Sequence, residues 1–180
     1  AGGTILNGLS LPAMPEGLIE RMLDREGITG AKRELLLGRY QERRRQLREM
    51  LAQGSVQEIL CLPNPEAVQS GSVKLNLGAE MLEASVSYTP GEYAEHIAAI
   101  RELVNGEKNY HLTLLPQVPF RELQVFTLKD AVAVLRCQEP YTAFVFKNEI
   151  LTRSIFSYCD SLIEQFAADR YTTMQALSNV

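Results

Sequence analysis

The chain has no tryptophan, two histidines and three cysteines in 180 residues, and each shortage narrows what it does. Cys61, Cys137 and Cys159 are widely spaced, odd in number and without a CxxC pair. That pattern argues against a disulfide-stapled scaffold and against a zinc centre, and it suits a reducing, cytoplasmic setting. No apolar run approaches the roughly 20 residues of a membrane span. No charged-then-apolar leader opens the chain either, so no membrane partner is expected. Neither GxxxxGK[ST] nor GxGxxG occurs, and Gly2-Gly3 precedes no strand-to-helix unit, so no nucleotide or other cofactor is expected. A net charge of -4 supplies no global field for a polyanion. The first residues, Ala1-Gly2-Gly3, include no methionine, and the expectation is a piece cut from a longer protein.

What is present is a globular composition, 46% hydrophobic, with enough chain to bury a core. The opening, 1–15, is rich in Gly, Pro and small polar residues and reads as an arm or linker. Pro15 suits the first turn of a short helix from Glu16 to Arg25, stopped at Gly27. A longer helix follows from about Lys32 to Gln53, with Leu35, Leu36, Tyr40, Leu47 and Leu51 as its apolar stripe. Between Ser55 and Tyr88 the pattern is open, because Ile59-Leu60-Cys61-Leu62 and Leu75 to Met81 each fit strand or helix. Thr89-Pro90-Gly91-Glu92 then sets out a hydroxyl cap, a first-turn proline and a capping-box glutamate before a helix that ends at Asn105-Gly106. Strands are predicted at Tyr110 to Leu114, Leu123 to Leu128, Ala131 to Cys137 and Tyr141 to Lys147. The links among the last three are too short for a crossover helix, so these strands form an antiparallel meander. Asn148 caps a final helix to Phe166 that covers one face of the sheet. The expected class is α+β, an antiparallel sheet with a C-terminal meander packed against helices. Its expected divisions are an arm (1–15), N-terminal helices forming a basic connector (16–54) and an α+β domain (55–180).

Chemistry-bearing patterns are few. His96 lies beside the apolar stripe of its helix, and His111 alternates with apolar residues on a strand. Neither falls in a nucleophile signature, so no catalytic residue is assigned. Cys137 and Cys159 fit buried hydrophobes, and Glu80, Glu83, Glu92 and Glu95 fit solvating helix faces, so no metal ligand is assigned. Residues 31–50 carry seven basic and three acidic side chains, a local +4 that leaves -8 elsewhere. That asymmetry fits a phosphate-contacting helix, a connector to a DNA-binding module, or a solvated face with long Arg stems lying over the core. Phe120, Phe126, Tyr141, Phe144, Phe146, Phe156 and Tyr158 supply aromatic surface, with Arg136 and Thr142 beside it. Such a mixture serves a core, or an apolar ligand pocket with an orienting group.

The stretch from Phe126 to Phe166 contains Ala131-Val132-Ala133-Val134-Leu135, then Pro140-Tyr141-Thr142-Ala143-Phe144-Val145-Phe146, then a helix with Phe156 and Tyr158. This order resembles the end of the regulatory domains that follow a helix-turn-helix in bacterial transcription regulators. Some of those, including sugar-responsive archaeal regulators, are similar in layout to the phospholipase D half-domain. The HxKxxxxD signature of phospholipase D is absent, since Ala98 and Thr113 stand at the lysine positions after His96 and His111. The resemblance implies a non-catalytic, effector-sensing and oligomerising domain. Arg136, Tyr141, Phe144 and Tyr158 would line the pocket for a small-molecule effector. The chain would be a homodimer, in which the helix from Lys32 to Gln53 pairs with its copy, and it would reach DNA through an upstream module. Two other readings stand beside this one: a small enzyme using His111 with nearby acidic residues, and a scaffold binding another protein through an apolar patch.

Overall fold

In the computed structural model, the described residues are 3–6, 11–76, 85–117, 120, 123–128, 130–136 and 142–180. The elements run in order: β1 (Gly3–Leu6), a short 3-10 turn (Leu11–Ala13), α1 (Glu16–Arg25), α2 (Gly30–Gln53), β2 (Val56–Leu60), α3 (Pro65–Gln69), β3 (Lys74–Asn76), β4 (Ser85–Ser87), α4 (Pro90–Gly106), β5 (Tyr110–Leu114), β6 (Leu123–Leu128), β7 (Ala131–Arg136), β8 (Thr142–Phe146), α5 (Glu149–Phe166) and α6 (Arg170–Ser178).

Local chemistry fixes the helix ends. Gly27, at φ 66°, takes the left-handed conformation that closes α1. The Ile28 N–H reaches the Leu23 carbonyl at 2.9 Å and the Gly27 N–H reaches Asp24 at 3.0 Å, a Schellman closure in which Leu23 and Ile28 also share the core. At α4 the Thr89 hydroxyl accepts from the Glu92 N–H at 3.2 Å, and the Glu92 carboxylate accepts from the Thr89 N–H at 2.9 Å. Asn148 caps α5 by accepting from Ile150 and Leu151, both at 3.1 Å. Asp169 caps α6, a helix beyond the last element predicted from sequence.

The fold is α+β, as expected. The main sheet is mixed, in the order β5-β2-β1-β6-β7-β8, while β3 and β4 form a separate pair. The antiparallel part is the predicted meander β6-β7-β8 together with β1 against β6. The other part is parallel, with β1 beside β2 and β2 beside β5. The helices between those strands supply the crossovers that parallel pairing requires. The stretch read as an arm over 1–15 therefore contains a strand in the interior of the sheet, Gly3–Leu6. Four residues are too few to show a period of two, and the surrounding glycines and prolines hid the strand.

Alternation along the strands sorts the side chains onto two faces. One face packs against α1, α2 and α4 in a core that includes Leu18, Met22, Tyr40, Leu51, Val56, Leu60, Ile100 and Tyr110. Each aliphatic side chain buried there contributes roughly 1.5–3 kcal/mol. The apolar stripe of α2, Leu36, Tyr40, Leu47 and Leu51, faces this core, so the helix belongs to the body of the fold and its stripe is not left over for a copy of itself. Leu35, expected in that stripe, is exposed. The opposite face packs Leu6, Ile59, Leu115, Val125 and Val132 against Cys159, Ile155, Phe156 and Leu162 of α5, as predicted for that helix. Beyond α5 the chain returns to the first face, where α6 lies beside α4 and β5 and Leu177 joins the larger core.

Candidate functional site

Two groups of polar and aromatic side chains stand out, one buried and one exposed. The buried group lies on the α4 side of the parallel strands. Glu58 of β2 has no exposed surface, and its carboxylate accepts a hydrogen bond from the hydroxyl of Tyr110 on β5. His96 of α4 is also fully buried, with Nδ1 at 2.8 Å from the Tyr88 hydroxyl. Its ring stacks on Tyr88 with centroids 6.0 Å apart, and Tyr88 meets Tyr93 edge-on at 5.7 Å. Burial pushes the Tyr88 hydroxyl far above its ordinary range, reinforced by Tyr93 and Glu92, and burial raises Tyr93 likewise. The sequence placed His96 beside the stripe, yet it lies within the core. The signal that could have found it is the company of Tyr88, Tyr93 and Tyr110, aromatics whose polar tips need partners when buried.

His111 has different surroundings. It is exposed on β5 and begins a row that runs through Gln57 and Thr4 to Thr127, aligned in register across neighbouring strands. Its neighbours in that row are neutral, and the Thr127 hydroxyl is occupied in accepting from the Thr4 N–H at 3.0 Å. Cys159 is buried and its thiol is pushed up to about 11, first by burial and then by Asp160. Among the described residues no three His, Cys, Asp or Glu side chains come together as a metal site. Among them, too, no helix is long and apolar enough to cross a membrane.

The exposed residues lie on β7 and β8, on α5, and at Phe120 before β6. Arg136 and Thr142 are partners in register on β7 and β8, as are Val134 and Phe144, so Arg136 and Phe144 share the α5 face as diagonal neighbours. Arg136 is half-buried, whereas Phe144 is 55% exposed and stacks on Phe146 at 6.2 Å. From α5, Tyr158 contacts Phe120 with ring centroids 5.8 Å apart, and both remain partly exposed, at 38% and 47%. Leu151, two turns before Tyr158 on the same side of α5, is exposed as well. Of the four residues predicted to line a pocket, Arg136 and Phe144 adjoin on one face and Tyr158 projects from the helix on that face. Tyr141 lies outside the described residues. The sequence did not reveal that these aromatics, and Leu151, stay open to solvent.

Part of the charge on the basic helix is paired with carboxylates. Arg33 pairs with Asp24 at 2.6 Å, Arg44 with Glu16 at 3.8 Å, and Arg45 with both Glu42 and Glu49. Arg44 also lies over the Tyr40 ring, 5.6 Å from its centroid. Compared with known proteins, the chain matches no family model, no curated protein and no solved structure.

Proposed function

We propose that this chain is the effector-sensing and self-associating domain of a bacterial transcription regulator, working in the cytoplasm without catalysis of its own. The observation that carries this reading is the open apolar and aromatic surface on the α5 side of β7 and β8. Phe144 and the positive charge of Arg136 share that face of the strands, and Leu151 and Tyr158 are exposed on α5, Tyr158 against Phe120. Monomeric proteins bury such surface or use it. A ligand suited to it is an apolar or aromatic molecule with an acidic group, oriented by Arg136. Such a ligand acts by binding one arrangement of the domain more tightly than another and shifting the population between them. The ion pairs of α2 support assigning any DNA contact to a separate module.

A fluorescence titration with anilinonaphthalenesulfonate, an aromatic anion, tests the reading. Saturable binding to the folded protein is expected, weakened at least about fivefold, or ~1 kcal/mol, by Tyr158→Ala and by Arg136→Ala at unchanged melting temperature. Binding that does not saturate, or that ignores both substitutions, contradicts it.

A further inference from the structure

We propose that β8 is a self-recognition edge: two copies of the chain pair their β8 strands antiparallel about a two-fold axis at Phe144, joining their main sheets into one. This rests on the self-association part of the reading above and names the surface responsible.

The two edges of the main sheet are built differently. At β5 the chain places α6 alongside, with Arg170 donating to the carbonyls of Asn105 and Glu107, both at 3.2 Å. At the other edge, among the described residues, β8 is the last strand. Its sequence, Thr142-Ala143-Phe144-Val145-Phe146, holds no charge and no proline, the usual devices that keep an edge strand from pairing. It is apolar on both faces, a pattern that belongs to strands inside a sheet. Yet Phe144 on the α5 face is 55% exposed, Val145 on the opposite face is 67% exposed, and Ala143 is exposed with it.

The strand also complements itself, and this identifies the occupant as a second copy. In antiparallel pairing about Phe144, that ring faces its own copy, giving an aromatic cross-strand pair on the α5 face. Ala143 faces the partner's Val145 on the other face, small against large, and Thr142 faces the partner's Phe146. An uncharged strand meets no like charge when it meets itself, whereas one charged residue near the axis would oppose its own copy. Ile150, 77% exposed in the first turn of α5, is further open apolar surface in the element that follows β8. The exposed side chains and the added strand backbone amount to roughly 500–600 Å² per copy, below the ~800 Å² of a standard interface. An interface of that size suits a reversible association.

Sedimentation velocity of the full chain across micromolar concentrations reads the association, and far-UV circular dichroism reports the fold of each variant. A monomer–dimer equilibrium is expected, weakened at least tenfold by Val145→Lys, whose side chain sits in solvent and leaves the Tyr158 surface intact. Mild oxidation of Phe144→Cys is expected to link two copies, because antiparallel neighbours sit about 4.5–5.5 Å apart at Cα, within disulfide reach. Tyr158→Cys and the parent chain, with its own three cysteines, serve as uncrosslinked controls. A chain that stays monomeric, or a dimer that neither responds to Val145→Lys nor crosslinks through Phe144→Cys, overturns the proposal. If a monomeric chain still binds the aromatic anion saturably, the edge proposal fails and the sensing surface stands. If a dimer forms through β8 but binds no anion, the sensing surface fails alone.

Discussion

Replacing Tyr110 by phenylalanine removes one oxygen atom from the protein interior and leaves the ring's packing volume in place. That oxygen carries the proton donated to Glu58, and both residues are buried, at 1% and 0% exposure. A buried carboxylate cannot turn to bulk water for a replacement donor. The loss is therefore that of a hydrogen bond made in the interior, about 1–3 kcal/mol, and not the few tenths expected at the surface. Urea unfolding followed by circular dichroism measures it directly. With a slope of about 2 kcal/mol per molar, the midpoint of Tyr110→Phe should fall by roughly 1 M with the slope unchanged. Combining it with Glu58→Leu, which removes the acceptor, gives a double-mutant cycle, in which the paired losses should fall short of additivity by about 1 kcal/mol or more. A Tyr110→Phe midpoint within about 0.2 M of the parent, or full additivity in the cycle, would refute the reasoning that this bond anchors β5 to β2.

The link between α1 and α4 gives two further predictions. Burial alone would raise the Glu92 carboxyl above its ordinary 4.5, but the Thr89 N–H and the Arg25 guanidinium outweigh it and hold the group below that value. A depressed carboxylate adds stability at pH values above its unfolded pKa, and that stability is lost as pH falls through the folded value. The melting temperature of the parent should therefore drop more steeply than that of Glu92→Gln below about pH 4.5, and parallel curves would contradict the assignment. Thr89→Ala removes the hydroxyl half of the capping box and should cost about 1 kcal/mol, seen in calorimetry as a fall of about 2–4 °C.

Some of this architecture was legible because its causes are local. Thr89-Pro90-Gly91-Glu92, Asn148 and Gly27 each settle a helix end within a few residues, and the two- and three-residue links near Lys129-Asp130 and Pro140 leave the C-terminal strands no choice but a meander. What stayed hidden depends on distant partners. Glu58 places a carboxylate in the middle of β2 and breaks the apolar look of an interior strand, and a donor that helps its burial, Tyr110, lies 52 residues on. His96 is core because Tyr88 meets it, and Arg25 finds Glu92 across 67 residues of chain. The aromatics near β8 were visible as a group, but periodicity cannot say whether a Phe on an edge strand is covered. Their exposure follows from β8 being last in the sheet and from α5 packing on strands nearer its centre.

The central claim is that the working surface of this chain is the open aromatic face at β7, β8 and α5, and not the buried Glu58 and His96 clusters. Nuclear magnetic resonance shift mapping during titration with anilinonaphthalenesulfonate tests it most directly. The account predicts that the perturbed resonances gather at Phe120, Arg136, Phe144, Leu151 and Tyr158. Shifts centred on Glu58, Tyr88, His96 and Tyr110, or scattered without a centre, would contradict it.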